Sequence, residues 1–244
     1  MSSSSVPGRR ARHIGIAAVS AEGAALCYRT ICVEGAALVG PHDHPQVTMH
    51  TYSLAEYMRP IVAGRWDEAG QLLLASAEIL VRAGAELLVC PDNTLHQALD
   101  LVRGRSPAPW LHIAEEVAAS ASARGFRRLG ILGTRYLMEG PVYPPRLAAS
   151  GITHEIPAPE DRERINRVIF DELAYGRFED ASRRYFQHVI EGLGARGCDA
   201  VVLGCTEIPL LIADGDSPLP AIDSTRTLAR AALREAVKIQ MEAL

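Results

Sequence analysis

Two short stretches hold side chains whose types and spacing suit proton transfer. In "VVLGCTEIPLL" (201–211) an apolar run stops at Gly204 and delivers Cys205 on the next position. In "AGAELLVCPDNT" (83–94) a similar run ends at Asp92. The second stretch aligns without gaps on "RGCDAVVLGCTE" (196–207): Gly84 meets Gly197, Glu86 meets Asp199, Val89 meets Val202, and Asp92 meets Cys205. If the two stretches are equivalent strands facing each other, a carboxylate and a thiol meet across a cleft and can serve opposite faces of one carbon. An ordinary thiol has a pKa of about 8.5 and a carboxyl about 3.9, a gap of roughly 6 kcal/mol in basicity. Burial raises a carboxyl by up to about 3–5 units, so desolvation can close much of that gap. The expectation is that Cys205 is the better base, activated by a following helix start at Thr206, and Asp92 the better acid. Asn93, Thr94 and Thr206 are candidate helix caps whose N–H groups and hydroxyls also suit a substrate carboxylate. Glu207 reads as a first-turn acid and His96 as a solvated helix residue.

The elements that must position these groups alternate. "HIGIAAV" (13–19), "QVTMHTYSL" (46–54), "AELLVC" (85–90), "RRLGILG" (127–133), "GITHEIP" (151–157) and "DAVVLG" (199–204) read as strands. Helical spacing marks "EGAALCYRTICVEG", "WDEAGQLLLASAEILVRAG", "NTLHQALDLV" and "SRRYFQHVIEGLGARG" between them. Such alternation predicts an α/β fold with parallel sheets, whose ligands sit at the carboxyl ends of the strands. "HIGIAAV" also lies over "RLGILGT" at nearly the offset of the longer repeat, which predicts a duplicated half. The expected organisation is a disordered leader (1–12), a first α/β domain (13–107 plus the returning helix 222–244) and a second (108–221). "EGPVYPPR" (139–146) reads as a rim, lid or connector.

The residues resemble the aspartate/glutamate racemase superfamily, nearest its aspartate racemase branch. "LGCTE" (203–207) is similar to that family's second catalytic motif, and "PDNTLH" (91–96) to its first, which is normally Pro-Cys-Asn-Thr-x-His. "LGILGT" (129–134) and "IFDELAYGRF" (169–178) fit as well. The resemblance implies two pseudo-twofold-related domains with the active site between them, and isomerisation of a small amino acid or related carboxylic acid without a cofactor. It implies Asp92 and Cys205 as the catalytic positions, Asn93, Thr94, Thr134, Thr206 and Glu207 as substrate-binding positions, and a homodimer. The chain departs from the family in carrying Asp92 where the first cysteine stands. It also carries Ala174 at the position of a substrate-binding lysine, and Arg59 fits the arginine position only after a one-residue slip. These departures point to a substrate other than aspartate. Cys90, two residues before Asp92, reads as a packed core thiol.

The remaining features exclude function classes. With 48% hydrophobic and 22% charged residues and a net charge of -4, the 244-residue chain carries no basic stripe for nucleic acid. Its apolar runs are shorter than the roughly 18 residues of a membrane span. Five cysteines without close zinc-type pairing, and a leader without an apolar signal core, read as free thiols in the cytoplasm. His42, His44 and His50 read as solvent-facing turn residues rather than metal ligands, so neither metal nor cofactor is expected. Two other readings stay open: a decarboxylase or lyase using Cys205 alone, and an inactive homologue that only binds a small molecule.

Overall fold

The computed structural model describes residues 11–213 and 215–241. The first half runs β1 (Ile14–Ala18), α1 (Ala21–Val39), β2 (Val47–Thr51), α2 (Leu54–Val62), α3 (Trp66–Arg82), β3 (Leu87–Val89), α4 (His96–Val102) and α5 (Ile113–Ala123). The second runs β4 (Arg128–Leu132), α6 (Arg135–Met138), α7 (Pro144–Ala149), β5 (Thr153–Glu155), α8 (Pro159–Asp171), α9 (Asp180–Ala195), β6 (Ala200–Leu203), α10 (Ile208–Leu211), β7 (Ala221–Asp223) and α11 (Ser224–Met241).

Two parallel sheets result, ordered β2-β1-β3 and β5-β4-β6-β7. Their central strands are buried along their lengths, because helices cover both faces of each sheet. The internal repeat appears in the register. Ile14 stands opposite Leu87 and Leu129 opposite Ala200. The step from Leu87 to Ala200 (200 − 87 = 113) equals the step from Asp92 to Cys205 (205 − 92 = 113). A parallel bridge from Leu88 to Trp110 gives the first sheet a counterpart of β7 and keeps the chain on that sheet past position 107.

Each half then hands its last helix to the other. α5 leaves the first sheet and buries Ala114, Val117 and Ala121 against Leu129, Ile131 and Ala200. α11 leaves β7 and buries Leu228, Ala229, Ala232 and Leu233 against Ile14, Ile16, Leu87 and Val89. This exchange joins the halves with their strand ends on either side of a common cleft. Ala11 is buried and the Arg12 N–H donates to the Ala236 carbonyl, so these two residues of the expected leader are held against α11. Residues 1–10 lie outside the described residues. Among the described residues no helix is long and apolar enough to cross a membrane.

Candidate active site

A pocket of about 590 Å³, counted to its open mouth, lies between the halves. All seven candidate residues line it: Asp92, Asn93 and Thr94 from the turn after β3, Thr134 after β4, and Cys205, Thr206 and Glu207 after β6. Residues far apart in sequence are brought together because each follows the carboxyl end of a central strand.

The halves are tied by matched hydroxyl contacts. Ser20 caps α1 after β1 and its Oγ lies 3.1 Å from Thr206 Oγ1 of the other half. Thr134 caps α6 after β4 and its Oγ1 lies 2.9 Å from Thr94 Oγ1. Gly23 permits the first contact, since a Cβ there would meet the Thr206 side chain at 2.6 Å. Asn93 is held in place by buried partners. Its Nδ2 donates to Ser224 Oγ at 2.9 Å, its Oδ1 accepts from Tyr143 OH at 2.6 Å, and Ser224 Oγ donates to the Leu203 carbonyl. The segment 139–146 therefore anchors one half to the other through buried Tyr143, rather than forming a lid. Ser20 and Tyr143 escaped the sequence reading; the repeat that aligned β1 with β4 brings Ser20 to within one position of Thr134's counterpart.

Asp92 keeps part of its surface open to the cavity, while the protein packed around it desolvates the carboxyl. That desolvation raises its pKa from 3.8 to about 6; the Leu95 N–H, donating to Oδ1 at 3.0 Å, pulls the other way, and the Glu207 charge adds to the rise. Cys205 is 9% exposed and its Sγ donates to Glu207 Oε2 at 2.9 Å; Thr206 Oγ1 donates to the same oxygen at 2.8 Å. Burial first, and then the Glu207 charge, push the thiol well above its ordinary value, with the Asp92 charge adding to the rise across the cleft.

These findings correct several expectations. Cys205 is not activated by a helix start, because α10 is a four-residue turn beginning at Ile208 and a carboxylate sits against the sulfur. Burial and the Glu207 charge favour the protonated thiol at neutral pH, whereas Asp92, at about 6, is largely ionised there. Asn93, Thr94 and Thr206 do not cap helices; the Asp92 carboxylate instead receives the Leu95 N–H just before α4. His96 is also fully buried, with Nε2 3.0 Å from the Cys90 carbonyl and its ring edge-on to His112. Arg59 is exposed and absent from the lining, and Cys90 is packed in the core of the first half. His42 and His44 are exposed, and His50 Nδ1 lies 2.8 Å from Ser76 Oγ.

Residues 16–232 match the model of the Asp/Glu/Hydantoin racemase family. The chain belongs to the Asp/Glu/Hydantoin racemase family. Within it, the chain is 22% identical over 189 residues to a broad specificity amino-acid racemase of Bacillus subtilis, covering 77% of this chain and 80% of that one. Among solved structures it is similar to a Yersinia pestis protein described as a candidate Asp/Glu racemase, at 34% identity and a TM-score of 0.84, covering 93% of this chain and all of that one. An aspartate racemase homologue from Pyrococcus horikoshii matches at 28% identity and a TM-score of 0.80, with the same coverage. The two parallel sheets flanked by helices are the two-domain fold of this racemase family.

Proposed function

We propose that the protein is a cofactor-independent racemase or epimerase of a small amino acid or related carboxylic acid, with Asp92 and Cys205 exchanging protons at the α-carbon. The observation that carries this reading is the convergence of Asp92 from one half and Cys205 from the other on a single cavity. Asp92 takes the place of the family's first cysteine. The ionised Asp92 carboxylate removes the α-proton, and the electron pair left on carbon delocalises into the substrate carboxylate. The Cys205 thiol then gives its proton to the opposite face and becomes a thiolate. Solvent reprotonates the sulfur and takes the proton from Asp92. Glu207 holds the thiol in its protonated form between turnovers, since its charge opposes formation of a thiolate. One hydroxyl of the Thr94–Thr134 pair keeps its proton free of their mutual contact, and it and the backbone N–H groups of the two turns are the neutral donors available to the substrate carboxylate, with Ser20 and Thr206 lining the same cavity.

The reading takes the enzyme as a cytoplasmic homodimer, which equilibrium sedimentation and fractionation check. The functional test is incubation with single enantiomers of a panel of amino and hydroxy acids. Loss of enantiomeric excess with hydrogen exchange at the α-carbon supports isomerisation. Release of carbon dioxide supports a decarboxylase that uses Cys205 alone, and binding without turnover supports an inactive homologue; either overturns the proposal.

A further inference from the structure

The cavity lining combines acidic and apolar side chains. Asp92 and Glu207 bring two carboxyl groups to the strand ends, whereas none of the described residues lining the cavity is Lys, Arg or His. The adjoining groove, which shares Ser20, Leu54, Ala174 and Glu207 with the cavity, has no basic residue in its lining either and adds the acid Glu22. Arg135 lies outside the lining, exposed, with its guanidinium over the Tyr136 ring at 5.7 Å from the centroid. Against the acids stand two helices. α2 presents Leu54, Met58 and Ile61, spaced i, i+4 and i+7 on one helical face, and α8 presents Ile169 and Phe170.

We infer that the site takes a zwitterionic α-amino acid with an uncharged, apolar side chain and turns away acidic side chains. The inference rests on the racemase reading and names its substrate class. A substrate ammonium is the one cation in such a site and offsets the two acids. A second carboxylate on the side chain meets apolar helix faces with no partner, which costs its full desolvation. A basic side chain laid along the same helix faces leaves its cation among apolar groups, which costs its desolvation. Leu, Met or Phe side chains instead exchange water for apolar surface.

The test is calorimetric binding and chiral turnover by the wild-type protein with leucine, methionine, phenylalanine, aspartate, glutamate and lysine, repeated with Met58→Lys. Met58 is half-buried and unbranched, so a lysine follows the same path and puts a cation in the apolar wall. The expected result is binding of the apolar amino acids at least about tenfold tighter than the charged ones. In Met58→Lys, aspartate and glutamate gain affinity while leucine loses it. Equal or tighter wild-type binding of aspartate, glutamate or lysine overturns the inference, as does failure of every apolar amino acid to bind. Preference for a neutral 5-substituted hydantoin over the amino acid overturns its ammonium half. The two proposals fail separately. Apolar amino acids that bind but exchange no α-hydrogen sink the racemase reading alone, and racemisation of aspartate in preference to leucine sinks the substrate class alone.

Discussion

Replacing Asp92 with asparagine should stabilise the protein, and only above acid pH. The carboxyl pKa is 3.8 when exposed and about 6 in the fold, chiefly through desolvation. Between those values the folded chain keeps a proton that the unfolded chain has released, so stability falls as pH rises through the window and stays low above it. At about 1.4 kcal/mol per tenfold change in proton affinity, the penalty approaches 3 kcal/mol at neutral pH. This is a ceiling, because the carboxyl opens on the cavity and water there screens it. Asparagine carries no charge and keeps an oxygen to accept the Leu95 N–H, so it removes the penalty without losing the contact. The assay is urea unfolding of both proteins at pH 4 and pH 7.5, with matched slopes, supported by thermal melts. The asparagine variant should gain up to about 3 kcal/mol at pH 7.5, a rise of roughly 6–12 °C for a chain this long, and no more than about 0.5 kcal/mol at pH 4. A variant that is equally stable or weaker at pH 7.5 refutes the reasoning, since the charged carboxyl would then be held by interactions that outweigh its desolvation. Activity should vanish in the same variant, an instance of a site group kept at the expense of stability.

Three further outcomes follow from the geometry. Cys205→Ser should keep the native circular dichroism spectrum and lose at least about 10³-fold in racemisation, because a hydroxyl is a far poorer acid and base than a thiol; turnover within tenfold of wild type contradicts the proposed role. Glu207→Gln should lower the Cys205 thiol pKa by removing the neighbouring negative charge, so iodoacetamide should label Cys205 faster at pH 8; slower labelling contradicts the electrostatic account. Tyr143→Phe should cost about 1–3 kcal/mol in urea unfolding by leaving the buried Asn93 Oδ1 without its donor, and a neutral result contradicts the anchoring role given to that segment.

Local pattern carried the framework. Buried apolar runs of four to six residues separated by helical spacing allow little besides a parallel α/β fold, and the gap-free repeat carries the relative register of the two halves. That register is why Asp92 and Cys205 could be paired across 113 positions of sequence (205 − 92). What escaped depends on tertiary contact. The thiol's surroundings hinge on Glu207 folding back onto Sγ, which happens because the chain after Thr206 makes only a four-residue turn. A cap signal in "CTEIP" does not specify how long the following helix runs. His96 reads as solvated from its residue type near a helix start; it is buried because α4 sets it against His112, sixteen positions away (112 − 96). Tyr143 lies in a proline-rich stretch that reads as a loop, and its hydroxyl finds Asn93 only when the halves close on each other.

The central claim is that two different groups handle the two faces of one carbon, and initial-rate turnover of a single pure enantiomer in deuterium oxide tests it most directly. If Asp92 removes the proton and Cys205 supplies the replacement, each product molecule carries deuterium at the α-carbon from the first turnovers, while the unconverted enantiomer stays protiated. Deuterium entering the starting enantiomer as fast as product forms, or product that retains the original proton, would mean that one group serves both faces and would contradict the Asp92–Cys205 pair.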